Sequence, residues 1–370
     1  MWRTAEGSTA RLIQLCVAYF VFYVITGVTV KYFMGSPAFG YPGMKEIEYL
    51  VYNTLGGTFI ALSVAVVLRW YRIKSNKIIS WGALRFPSEV LYIIPSGVCT
   101  AVVIPTTTLM YMLPISVMVA MVIMRASVII ISRVVDAVQI RQGILKKKVY
   151  AEENLGVVFA LLAAATNMFW VGPDDFDFVH SPAAVIILTS YIIAYAIRIY
   201  IMNYYKNTRA KGVKLDNNGF FAIEQITATA AMLAVGFILY SAPAWFGSAN
   251  AQILLFHQSL AMPHADWAWG VIAGFAFGMV AFFSVFIFMF KGRTATFAGL
   301  VNRLTSLVAG TAATLVSYFL FQGRFPKMQD WVSLVFIFVA VAFLSHAEKK
   351  RTVELAQAKE IDMPPSSVRS

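Results

Sequence analysis

Long apolar runs follow one another along this chain, each ended by a short polar connection. A helix rises about 1.5 Å per residue, so crossing a hydrocarbon core of about 30 Å takes about 20 mostly apolar residues. Ten runs reach that scale. In the first half they are Leu12–Met34, Tyr49–Trp70, Val90–Met112, Ile115–Val138 and Leu155–Val171. In the second half they are Ala183–Tyr205, Phe220–Ser241, Trp269–Phe290, Ala295–Phe321 and Trp331–Ser345. Inside lipid every backbone polar group must be bonded within its own segment, which leaves helices for runs of this length. The expected fold is therefore an all-α polytopic membrane protein with ten transmembrane helices. Composition agrees: 59% of the 370 residues are hydrophobic and 13% charged, against about 25% charged in soluble domains. The first run is too long for a signal-peptide core of about 7–15 residues and no A-x-A site closes it, so it reads as the first spanning helix.

A net charge of +12 raises the question of nucleic acid. The basic residues are spread over short connections between apolar runs, so no soluble basic domain carries them and nucleic acid is not an expected partner; the lipid bilayer is. Arg69–Arg85, "RQGILKKK", "KNTRAKGVK", "KGR" and "EKKR" are strongly basic and occupy every second connection. "MLPIS", "GPDDFDFVHS" and the segment from Ser241 to Asp266 carry no lysine or arginine. Lys31, Lys45, Arg324 and Lys327 are the exceptions on that side. Basic loops stay cytoplasmic, which places both termini in the cytoplasm. The pattern suits a multi-pass protein of a bacterial cytoplasmic membrane, with endoplasmic reticulum or Golgi as alternatives.

The halves resemble each other. The fourth and fifth runs, from "IMRASVIIISRVVDAVQIRQG", lie over the ninth and tenth, from "LVNRLTSLVAGTAATLVSYFLFQG", so that Arg125 falls on Arg303 and Ser127 on Thr305. Five helices per half would start the second half on the opposite side, giving two inverted five-helix repeats, as in many secondary transporters. Chance likeness between apolar stretches is the alternative. The expected organisation is a cytoplasmic N-terminus (1–11), a first repeat (12–171), a second repeat (181–346) and a polar, disordered cytoplasmic tail (347–370).

Arg125 in "VIMRASVIII" and Arg303 in "LVNRLTSLV" sit about 15 Å and about 12 Å from their helix starts, at the middle of the membrane. A charge there costs about 3 kcal/mol or more, and neither arginine has an acid three or four residues away. They are expected to face a shared aqueous cavity and to meet an anionic ligand. Asn302, Thr106, Thr107 and Tyr111 are candidate polar partners in substrate binding. Pro105 removes a helix hydrogen bond beside Thr106–Thr108, which suits a kinked cavity lining or plain packing. Glu224 in "FFAIEQITATA" is either a proton-coupling carboxylate or a counter-ion to Arg198 or Arg133. Arg133 has Asp136 within reach at i+3. Gly270, Gly274 and Gly278 allow close helix packing, with homodimerisation the alternative.

The whole chain apart from the tail resembles the drug/metabolite transporter superfamily (EamA-like): ten helices, two repeats and a tight third-to-fourth turn, "MLPIS". The fourth–fifth and ninth–tenth pairs are most similar to the triose-phosphate and nucleotide-sugar branch. There a basic residue precedes Ser-Arg by eight positions, as Arg125 precedes Arg133, and a Lys-Arg pair stands where this chain has Asn302-Arg303. The missing lysine counts against a doubly charged phosphate. The resemblance implies a secondary transporter moving a small anionic metabolite, phosphorylated or carboxylated, by alternating access. Export of amino acids or other metabolites, lipid flipping and a membrane-embedded enzyme are the alternatives. An enzyme would need a clustered nucleophile, an acid–base pair or a metal set, and none is visible; no Walker motif occurs. Cys16 and Cys99 lie in apolar runs, and no two of the four histidines are spaced like metal ligands. Neither a cofactor nor a metal is expected.

Overall fold

The computed structural model describes residues 9–361 except 83, 146–149, 171–175, 211–212, 214, 291–294, 322 and 324. The described residues form eleven α-helices: α1 (Thr9–Phe33), α2 (Glu46–Val67), α3 (Val90–Met112), α4 (Val117–Arg141), α5 (Ala151–Phe169), α6 (Pro182–Asn207), α7 (Asn217–Phe246), α8 (Ala251–Ala261), α9 (Trp267–Phe288), α10 (Ala295–Phe321) and α11 (Met328–Ile361). Among the described residues nine of them, all but α5 and α8, are long and apolar enough to cross a membrane. Helix α5 carries Glu152 and Glu153 in its first turn and packs along α11.

Helix starts follow ordinary capping chemistry. Ser116, Ser181 and Asp216 turn side-chain oxygens onto backbone amides of α4, α6 and α7, satisfying donors that a helix start leaves open. Helix α4 is the most enclosed, with 78% of its apolar window buried, whereas α7 buries 28%. The stretch of α4 around Arg125, buried from Val117 to Ile129, is therefore surrounded by protein. One face of α1, with Ile13, Val17, Val21 and Ile25, is exposed; that four-residue spacing makes it a lipid-facing stripe.

Three segments differ from expectation. The stretch from Ser241 to Asp266 is mostly helical: α7 runs on to Phe246, and α8 follows, capped by Asn250. Helix α8 is held against α2, where Tyr52 Oη donates to the Ser259 carbonyl at 2.8 Å. The basic connection after α2 folds into a hairpin of β1 (Ile78–Trp81) and β2 (Leu84–Pro87), turning at Gly82, whose φ of 61° favours glycine. Helix α11 continues past Glu348 to Ile361, so the tail is helical that far. Its glutamates, lysines, alanines and leucine are good helix formers, and no proline intervenes before Pro364.

The hairpin is fastened at its base. Arg209 Nη1 pairs with Glu89 Oε1 at 2.6 Å, and Ser75 Oγ and the Asn76 amide also donate to that carboxylate. These bonds join the α2–α3 connection to the α6–α7 connection. At the other end of the bundle Lys31 Nζ donates to the carbonyls of Tyr111, Leu113 and Ile115 at 2.8, 3.3 and 3.0 Å. Lysine thus caps carbonyls that the end of α3 leaves open, which accounts for a basic residue in a base-poor region.

The glycine stripe of α9 is consumed inside the chain. A Cβ on Gly274 would press on the backbone of Asn53, and one on Gly278 on that of Gly57. Helices α2 and α9 therefore approach backbone to backbone.

Candidate functional site

Arg125 and Arg303 are both buried, at 4% and 3% exposure, and lie within electrostatic range of each other. Their surroundings differ. Arg125 Nη2 donates to Tyr23 Oη in a very short contact, and its guanidinium carbon stands 5.4 Å from the centroid of the same ring, within cation–π range. Tyr111 Oη donates to Tyr23 Oη at 2.9 Å. Tyr19 meets Tyr23 edge to face at 5.0 Å and donates to Asn302 Oδ1 at 3.3 Å, while Asn302 Nδ2 donates to Ser284 Oγ at 3.2 Å. Tyr191 and Tyr195 of α6 also lie within electrostatic range of Arg125. A continuous polar core thus runs from α1 through α3, α4 and α10.

Arg303 turns the other way. Its Nη2 donates to the Val128 carbonyl at 3.1 Å and, closely, to Ser132 Oγ. It lines a cavity with Ser132, Arg133 and Asp136 of α4, Glu153 of α5 and Asn203 of α6. The cavity measures about 40 Å³, room for about three waters. It sits where α4 and α6 end and α5 and α10 begin, at the end of the bundle carrying the basic connections. Arg125 is not among its lining residues. The arginines share a neighbourhood, and only Arg303 faces this cavity.

Neither guanidinium is saturated. Arg125 Nε and Arg303 Nε are buried without a hydrogen-bond partner, and neither arginine forms an ion pair among the described residues. Unpaired buried donors on a charged group cost about 1–3 kcal/mol or more each. Buried donors of this kind, which Arg133 Nη1 also provides beside the same cavity, are met by water, an ion or a ligand.

The remaining candidates separate. Asn302 and Tyr111 join the polar core around Arg125. Thr106 Oγ1 donates back to the Val102 and Val103 carbonyls, and Thr107 Oγ1 to the Val103 carbonyl at 2.7 Å, so both serve the backbone of α3 beside Pro105. Glu224 is fully buried and has a basic partner: Arg198 Nε and Nη2 donate to its two oxygens at 2.9 and 2.8 Å, and Ser96 Oγ adds a third bond at 2.7 Å. That is the counter-ion arrangement. Arg133 turns to α5, where Nε and Nη2 donate to Asn154 Oδ1 at 3.2 and 3.3 Å. Tyr19, Tyr23, Tyr191 and Tyr195 were not singled out from the sequence. Their signal was present, since tyrosines four apart share a helix face, in the first helix of each half.

No protein family matches the chain, and no curated protein does. Among solved structures, one described as "Crystal structure of protein" is similar at a TM-score of 0.49 and 13% identity, over 93% of this chain and 99% of that one. The chain is a helical multi-pass membrane protein, and its candidate site rests on its own geometry.

Proposed function

We propose that the chain is a secondary transporter of the drug/metabolite transporter type, built of ten spanning helices in two inverted repeats, with α8 an addition to the second. Helix contacts support the repeat. Helix α2 packs on α9 as α7 packs on α3; α1 packs on α9 and α10 as α6 packs on α3 and α4; and α5 meets α11. Each relation is its partner's image under exchange of the halves. On this reading the basic end is cytoplasmic and so are both termini.

The transported molecule carries a negative group that Arg303 takes first. The carrying observation is an unsaturated, buried guanidinium facing a cavity at the end of the bundle whose largely apolar wall, with Ile129, Ile199, Phe288 and Leu344, is broken by a few polar side chains. Arginine's planar fork matches carboxylate or phosphate in two parallel hydrogen bonds. The test is uptake into proteoliposomes of labelled carboxylates, phosphate esters, zwitterionic amino acids and cations. Anion uptake should fall in Arg303→Lys and vanish in Arg125→Ala and Arg303→Ala; wild-type-like uptake by the double alanine variant contradicts the reading. The cavity's mixed lining, with Asp136 and Glu153 beside Arg133 and Arg303, favours a second substrate class, a zwitterionic amino acid whose ammonium meets the acids. Uptake restricted to the zwitterion arm would select it.

A further inference from the structure

Tyr19 and Tyr23 lie four apart on α1, and Tyr191 and Tyr195 lie four apart on α6. On the inverted-repeat reading helices α1 and α6 open the two halves, and the tyrosine pair of one helix then stands opposite the tyrosine pair of the other, Tyr23 with Tyr195, as Arg125 stands with Arg303. In this structure the two tyrosine–arginine sets are not in the same state. Tyr23 Oη accepts from Arg125 Nη2 and its ring covers the guanidinium. Tyr195 makes no bond to Arg303: its ring lies 5.8 Å from the Arg198 guanidinium carbon and within electrostatic range of both Arg125 and Arg303, while Arg303 Nη2 is turned onto Val128 and Ser132 beside the cavity. One arginine is held by its tyrosine; the other is released to the cavity.

We propose that Tyr23 and Tyr195 are positioning residues that take turns: Tyr23 holds Arg125 while Arg303 is offered to the cytoplasmic cavity, and Tyr195 holds Arg303 when the cavity lies on the opposite side. This rests on the inverted-repeat transporter reading above. A neutral hydroxyl suits the task. A carboxylate in its place would form a buried ion pair whose separation leaves a charge uncompensated. A phenol oxygen accepts a charge-assisted bond of intermediate strength, which an arriving anion outcompetes because both partners are then charged. The second bond that Tyr23 Oη accepts, from Tyr111 Oη at 2.9 Å, fixes the oxygen where Arg125 needs it. Tyr111 is in turn held by the Lys31 clamp at its carbonyl, so the hold on Arg125 is tied to the non-cytoplasmic end of α3.

The test follows the accessibility of the cytoplasmic cavity. A reporter cysteine replaces Val157, a lining residue of α5, in a Cys16→Ser/Cys99→Ser background that retains uptake. A membrane-impermeant maleimide is applied to inside-out vesicles. Tyr23→Phe removes the acceptor for Arg125 and should shift the equilibrium about tenfold away from the cytoplasm-open state, the change expected from losing one hydrogen bond to a charge, and slow labelling in proportion to the population lost, by about twofold if that state is the major one. Tyr195→Phe should not slow it. Arg125→Met removes the same bond from the other partner and should slow labelling as Tyr23→Phe does, which covers poor accumulation of the tyrosine variant. Equal labelling in wild type and Tyr23→Phe, or slowing by Tyr195→Phe, overturns the proposal. Anion uptake measured in parallel keeps the two ideas apart: intact, arginine-dependent uptake with unshifted labelling rejects the tyrosine hold and leaves the transporter reading standing.

Discussion

Arg198 and Glu224 are joined by two parallel hydrogen bonds of 2.9 and 2.8 Å inside the bundle, with side chains 7% and 0% exposed. The pair links α6 to α7, and Ser96 Oγ extends it to α3. Breaking a buried pair by removing one partner costs about 3–5 kcal/mol, because the other charge is left uncompensated. Glu224→Gln should therefore lower the unfolding temperature of the detergent-solubilised protein markedly. The double variant Arg198→Met/Glu224→Leu should regain much of the loss. If Glu224→Gln unfolds like wild type and instead flattens the pH profile of uptake, the carboxylate is a coupling group and the counter-ion assignment fails.

Arg303 and Arg125 should respond differently to substitution by lysine. On the proposed reading Arg303 would meet an anionic ligand in the cavity with a planar fork, so Arg303→Lys keeps the charge and loses the paired geometry. A loss of about tenfold in apparent affinity, or about 1.4 kcal/mol, is expected, with maximal rate less affected. Arg125 is packed against the Tyr23 ring and its hydroxyl, so Arg125→Lys also gives up stacking and should lower the rate together with affinity. Concentration series of uptake separate the two outcomes, and identical profiles would contradict the distinct placements.

The apolar runs made the spanning helices legible, because lipid leaves the backbone so few solutions. For α10 the expected limits, Ala295–Phe321, are also those observed. Arg125 and Arg303 were legible for a related reason, since a charge in mid-membrane is costly enough to demand an account. What surrounds them was not. Tyr23 reaches Arg125 across 102 positions of sequence, and the four-residue spacing of tyrosines is a weaker signal than a charge, because a tyrosine ring is at home in apolar surroundings. Thr106 and Thr107 donate their hydroxyls to the backbone of α3, because a hydroxyl near proline serves the backbone as readily as a cavity. The hairpin was hidden in a run of basic residues, where charge masks the alternation of Ile79, Trp81 and Phe86 on one face.

Lys31 acts through the architecture of the helix end. Its ammonium donates to three carbonyls at the end of α3 and in the turn to α4. Lys31→Met fills the space and leaves those carbonyls without their donor, at about 1–3 kcal/mol for a buried unsatisfied group. Thermal unfolding should drop by several degrees, with Lys31→Arg intermediate. Since Tyr111 belongs to the clamped segment, uptake should weaken alongside stability. A Lys31→Met protein as stable as wild type would remove the clamp from the account.

Glu89 provides a pH dependence with a definite sign. Burial pushes its carboxyl up, but hydrogen bonds from Ser75, the Asn76 amide and Ser88 outweigh this and hold it below its ordinary value of 4.5. A carboxylate lowered on folding contributes stability that is complete above 4.5 and is lost as pH falls through the folded value. The join between the α2–α3 and α6–α7 connections should therefore loosen in acid below that point. Glu89→Gln should lower stability at neutral pH and flatten the acid limb of a plot of unfolding temperature against pH. An acid limb as steep in Glu89→Gln as in wild type would assign the acid sensitivity to other groups.

Gly56, Gly274 and Gly278 provide the last expectation, and it bears on whether the glycine stripe serves one chain or two. Membrane helices associate through close packing rather than through water exclusion, so backbone contact is where their stability resides. A Cβ on Gly56 would run into the Val271 carbonyl oxygen, and one on Gly274 into that of Asn53. Carbonyl oxygens belong to the helix itself and cannot rotate aside as a side chain does. The α2–α9 pair would have to separate along its length. Gly56→Ala and Gly274→Ala should each destabilise the monomer by about 1–3 kcal/mol, the usual range for overpacking, and should add little when combined, since one separation relieves both clashes. Sedimentation in detergent supplies the contrast. If the stripe is spent within the chain, the variants lose stability with no change of oligomeric state. A dimer in the wild type that dissociates in Gly274→Ala, with the unfolding temperature unchanged, would transfer these glycines to an interface between chains.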